Sequence, residues 1–102
     1  MRMMMTVTFP VETFNAAVRD GTAATKMGRV LEEIKPEAAY FTDTDGKRSG
    51  VLIVNLTDAS QIPALAEPWM LLFNASIELK PVMVPDDLKA SGIDQIGARY
   101  KD

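Results

Sequence analysis

The stretch Glu37-Ala-Ala-Tyr-Phe-Thr-Asp-Thr-Asp-Gly-Lys-Arg-Ser-Gly-Val-Leu-Ile-Val-Asn-Leu56 decides the fold. Two strand-forming runs flank Thr44-Asp45-Gly46-Lys47. Asp-Gly between two β runs is a strong hairpin signal, because the favoured two-residue turn needs positive φ at both central positions. Glu37 to Asp43 is therefore read as one strand and Arg48 to Leu56 as its return. Val51 to Val54 are apolar without alternation, as in a strand covered on both faces.

Working outward, Met1 to Phe9 reads as another strand. Its odd positions, Met1, Met3, Met5, Val7 and Phe9, form an apolar face, and Arg2, Met4, Thr6 and Thr8 a mixed one. Pro10 and Val11 open a helix that runs to about Ile34. Phe14, Ala17, Gly21, Ala24, Gly28 and Leu31 mark its apolar stripe, widened by Val18, Met27 and Ile34. Glycine destabilises a helix, so either a break falls near Asp20-Gly21 or the small residues let the helix lie close to a sheet. Arg29 and Glu33 form an i,i+4 pair, and Lys35-Pro36 ends the helix.

Beyond the hairpin, Asp58 and Gln61 have the spacing of a capping box. They begin a second helix with Ile62, Leu65, Trp69, Leu72 and Phe73 on its apolar face. Pro68 within it is expected to kink or split it. Ser76 to Val84 reads as the last strand, and Pro81 assigns it to a sheet edge. Pro85-Asp86-Asp87 starts a short terminal helix. The order strand, helix, strand, strand, helix, strand is the split βαβ plan. The expected architecture is α+β and ferredoxin-like, a four-stranded antiparallel sheet with two helices on one face. Its first and third strands are central. Residues 1–90 form the single domain, and 91–102 a C-terminal tail that docks or frays.

With these elements in place, the chain resembles the dimeric α/β-barrel superfamily and short uncharacterised bacterial proteins of similar length. The segments that carry the likeness are Lys35 to Thr42, the Asp45-Gly46 turn, Asp58 to Trp69 and Pro81 to Leu88. The resemblance implies a ferredoxin-like fold and a dimer packed sheet to sheet. It implies no single activity, since relatives include cofactor-free monooxygenases, lactone isomerases and haem enzymes.

Composition narrows the chemistry. The chain of 102 residues has no cysteine and no histidine, which removes thiolate nucleophiles, disulfides, thiolate metal sites and the usual haem ligand. A carboxylate site for a hard cation stays open. Asp43-Thr44-Asp45-Gly46 hints at a calcium loop, but the twelfth position would be Val54, and the turn reading prevails. A net charge of −3 with no basic cluster disfavours nucleic acid. The apolar start is too short to span a membrane, and no signal-peptide pattern is visible. The expected location is the cytoplasm.

Five side chains stand out as candidates for binding a ligand. Tyr40 and Asn55 lie on neighbouring strands of the hairpin. An amide on a largely apolar central strand needs partners, and these are either a small carbonyl or hydroxyl compound or a contact at the strand end or a dimer interface. Arg2 suits an anion or is solvated at the terminus. Glu67 and Trp69 flank Pro68, where an interrupted helix would shape a pocket, although Trp69 also serves as a core anchor. The methionines at 1, 3, 4 and 5 are core and interface filler rather than a soft ligand surface.

The preferred function is a non-enzymatic homodimeric domain that binds a small organic molecule or a partner. The alternative is a metal-free, cofactor-independent enzyme of monooxygenase or isomerase type, with Tyr40, Glu67 or an aspartate as acid or base. Either way no cofactor is expected. Protein purified without chelator is expected to hold no stoichiometric zinc, iron or copper and no haem. Elemental analysis with a visible spectrum checks this, and one equivalent of any of these metals would overturn it.

Overall fold

In the computed structural model, which describes residues 1–102, the hairpin closes on Asp45 and Gly46 at φ 52° and 77°. It joins strand β2 (Ala38–Thr44) to β3 (Lys47–Asn55). Strands β1 (Arg2–Thr8) and β4 (Ser76–Pro81) complete an antiparallel sheet in the order β2-β3-β1-β4. The fold is the ferredoxin-like α+β arrangement, with β1 and β3 central. β4 is at an edge and ends at Pro81 rather than Val84, and the Pro81 nitrogen offers no N–H to a further strand.

The long first helix is two helices, α1 (Val11–Arg19) and α2 (Ala23–Ile34). Gly21 makes the break at φ 79°, a conformation that costs glycine little. Asp20 Oδ1 accepts from the Thr22 backbone N–H at 2.9 Å and holds the corner. Asp58 and Gln61 form the capping box around a 3₁₀ turn at Ala59–Gln61, which leads into α3 (Ile62–Phe73).

The expectation of a helix split at Pro68 is corrected, because α3 runs through it unbroken. Pro68 forfeits only the bond to the Ala64 carbonyl. Ala64 is exposed, so water can satisfy that oxygen.

The odd residues of β1 face the helices. Met3, Met5 and Val7 are buried with Leu52 and Val54 of β3. Register explains the match: Met5 pairs with Leu52, and Met3 with Val54. Phe9 follows at the end of β1, among the rings of Phe14, Phe73 and Trp69 at centroid distances of 4.9, 5.1 and 5.9 Å. All three contacts are edge-to-face, the favoured geometry for aromatic pairs.

No helix of the same chain covers the opposite face. Cross-strand rows run over it from β2 to β4: Tyr40, Val51, Thr6 and Glu78 in one, Ala38, Ile53, Met4 and Lys80 in the next. Beyond β4 the residues read as a tail form helix α5 (Ile93–Arg99), which follows α4 (Pro85–Ala90). Neither buries a residue. No helix is long and apolar enough to cross a membrane.

Pro68→Ala restores the missing helical N–H and is expected to raise stability by about 1–3 kcal/mol. Urea denaturation measures it. A lower midpoint would show that α3 is adapted to the proline.

Candidate functional site

Arg2 opens β1 on the even, uncovered face and pairs in register with Asn55 at the end of β3. The chain returns to the same end of the sheet after α2. Lys35 caps that helix in the left-handed conformation, φ 45°, with its N–H on the Leu31 carbonyl at 2.9 Å. Glu37 then enters β2 with its N–H on the Ile53 carbonyl at 2.8 Å.

These backbone bonds bring the Glu37 carboxylate to Arg2. Nε donates to Oε2 and Nη2 to Oε1, both at 2.8 Å. The hydrogen bond from Arg2 holds the Glu37 carboxyl below the usual carboxylate range. A fork-to-fork pair of this kind fixes orientation as well as charge. It engages two of the five guanidinium N–H groups and leaves three directed elsewhere.

Asn55 is tied by its oxygen. Oδ1 accepts from the Met1 ammonium at 3.0 Å, and the neighbouring Leu56 carbonyl accepts from the same group at 2.8 Å. The amide nitrogen of Asn55 makes no bond within the chain. The far wall comes from the exit of β4. Val82 donates to the Arg2 carbonyl at 3.1 Å, and Asp87 Oδ2 accepts from the Val84 N–H at 2.9 Å. The result is an open depression of about 770 Å³ that includes Arg2, Lys35, Glu37, Asn55, Met83 and Asp87 among its lining residues.

The structure therefore unites two of the five sequence candidates, Arg2 and Asn55, and separates the others. Tyr40 shares the uncovered face but pairs with Val51, about 13 Å along the strand from Asn55. Glu67 lies on the helix side, in a smaller groove of about 410 Å³ between α2 and α3 with Pro68 and Leu71. Trp69 is wholly buried beside Phe9 and Phe73, and its indole N–H has no partner. It is the core anchor of α3.

Sequence reading missed Lys35, Glu37 and Asp87. The available signal was the opposite charge of Arg2 and Glu37, which becomes informative only once the register of β1, β2 and β3 is known.

The arrangement presents hydrogen-bond donors in a fixed orientation. The residues whose titration is clearly displaced are Arg2, Asp20, Glu37 and Asp58, and all are surface groups stabilised in their charged form by hydrogen bonds. No group of three or more carboxylates gathers to hold a cation.

No curated protein matches the chain. A family model described as a domain of unknown function, DUF3303, matches residues 1–93, which take in all four strands, α4 and the first residue of α5. The chain belongs to the DUF3303 family.

Proposed function

We propose that this chain is a non-enzymatic, homodimeric domain that binds a small organic carboxylate or carbonyl compound at the sheet end where Arg2 and Asn55 meet. The observation that carries the reading is the convergence of an arginine with free N–H groups and an amide nitrogen without a partner on one open depression. A carboxylate takes two parallel N–H bonds from a guanidinium, and the Asn55 amide donates to a second oxygen. Lys35 on the rim adds a cation, offset by Glu37 and Asp87. The enzymatic alternative has less support, because Tyr40 and Glu67 lie on opposite sides of the sheet.

The dimer reading rests on the uncovered face. Met4, Val51 and Ile53 there stay half-buried between neighbouring strands, while Tyr40 is exposed. The face mixes apolar residues with Thr6, Glu78 and Lys80, the composition of an interface with a polar rim. Twofold pairing is the commonest way for a soluble protein to bury such a patch. The likeness to the dimeric α/β-barrel superfamily supports the same assembly. In a chain without histidine or cysteine no cofactor is proposed, and the proposed location is the cytoplasm.

A thermal-shift screen of small carboxylates and carbonyl compounds tests the ligand. At least one compound is expected to raise Tm, and Arg2→Ala or Asn55→Ala should weaken its binding by about 10- to 100-fold, the loss of a charge-assisted hydrogen bond. A hit whose affinity is unchanged in both variants would move the site elsewhere. For the assembly, wild type is expected to be a dimer by light scattering at micromolar concentration, and Ile53→Lys to give monomers or aggregates. A monomeric wild type, or an unaffected variant dimer, would refute the sheet-face assembly.

A further inference from the structure

The chain carries more surface than its mass needs. It exposes 7056 Å², whereas a compact monomer of 11.2 kDa exposes about 5,700 Å². Its radius of gyration is 17.4 Å, against about 13 Å for a compact domain of this length. The longest dimension is 61 Å and the other two are 28 and 19 Å. A nine-residue strand such as β3 spans about 30 Å, so the sheet cannot account for that length. The segment from Met83 to Tyr100, which follows β4 past the sheet end, buries none of its residues and leaves its apolar side chains uncovered.

Those side chains are ordered along the helices. Ile93 and Ile96 share one face of α5, Tyr100 follows as its C-terminal cap four residues after Ile96, and Leu88 adds to them from α4. All four are exposed, Tyr100 at 80%. Helices of six and seven residues are too short to persist alone in water, so they need a surface to pack against.

We infer that Met83 to Tyr100 is an exchange arm that docks on a second copy of this chain, at the β2 border of its uncovered sheet face. The inference rests on the dimer reading above and adds which residues the partner contributes. Three observations select this occupant. The first is area: the excess of about 1,350 Å² over a compact monomer falls within the roughly 1,000–2,500 Å² that each partner of an obligate dimer buries.

The second is placement. The sheet order puts the arm's root on β4 and leaves β2 at the opposite border. When two such sheets stack face to face about a twofold axis parallel to the strands, β4 of one copy lies over β2 of the other. Pro81 pairs with Met3, and Ala38 lies in the cross-strand row of Met4. The arm therefore emerges at the end of the sheet where the second copy's β2 begins.

The third is what stands at that border. Tyr40, on the uncovered face of edge strand β2, is 67% exposed, and Phe41, on the helix side of the same edge, is 53% exposed. An edge with two uncovered aromatic rings invites uncontrolled pairing unless something covers it, and the Ile93, Ile96 and Tyr100 stripe has matching apolar character.

The absence of cysteine makes the test direct. Full-length chains carrying Tyr40→Cys are mixed with chains carrying Ile96→Cys and treated with a short thiol-reactive cross-linker. Mass spectrometry should find a mixed dimer joined from position 40 to position 96, at several times the yield obtained when Arg29→Cys on the helix layer replaces Tyr40→Cys. Ile96→Asp, on an exposed helix, should raise the dimer dissociation constant about tenfold or more. An intact wild-type dimer with no preferential 40-to-96 product, or one undisturbed by Ile96→Asp, overturns the arm and leaves the sheet-face dimer standing. A monomeric wild type overturns both.

Discussion

Everything in this molecule depends on the pairing of β1 with β3 in a single register. Met5 opposite Leu52 and Met3 opposite Val54 place four apolar side chains on one side of the sheet. Because side chains alternate, a slip of one residue would send this set to the other side and bring Arg2, Thr6 and Thr8 under the helices. The register is held from both ends. Phe9 is fixed among Phe14, Phe73 and Trp69, and its N–H donates to the Arg48 carbonyl at 3.0 Å. At the other end the Leu56 N–H donates to the Met1 carbonyl at 2.8 Å. The aromatic cluster and the sheet end are thus two limits of one ladder, and the candidate site inherits its geometry from the same pairing that builds the core.

The sheet order and the buried face were legible in the sequence because both depend on short-range pattern. The alternation in Met1 to Phe9 and the Asp45-Gly46 turn each act within a few residues, and Pro81 marks an edge by lacking one N–H. The path of α3 through Pro68 was not legible, since it depends on whether the orphaned Ala64 carbonyl reaches water, and that is a property of exposure in the folded chain. The site was half legible. Arg2 and Asn55 stood out as polar residues at the ends of apolar strands. Glu37 did not, because it meets Arg2 across 35 residues and through the register of three strands. Trp69 was singled out for the right neighbourhood and the wrong surface. The apolar positions of α3 point it at Phe9, whereas the groove beside Pro68 opens on the other side of the helix.

The two sides of the sheet divide the work. One carries the dense packing that makes the fold, including every large buried ring. The other carries half-buried aliphatic rows, hydroxyls and a polar end, with Ser49 the one buried polar residue, its hydroxyl accepting from Thr44 at 2.9 Å. Changes on the first side are felt as stability. Changes on the second disturb less, since side chains there have fewer neighbours of their own chain.

Trp69 has an optical consequence. It is the sole tryptophan, wholly enclosed, with its indole N–H bonded to nothing. Its emission therefore arises from a dry, apolar environment and reports the integrity of the aromatic cluster. On melting, the ring passes from that environment into water, so one intrinsic signal follows loss of the core without any label. A molecule arriving beside Arg2, on the far side of the sheet, leaves the indole's surroundings as they were, and fluorescence stays silent while the site fills.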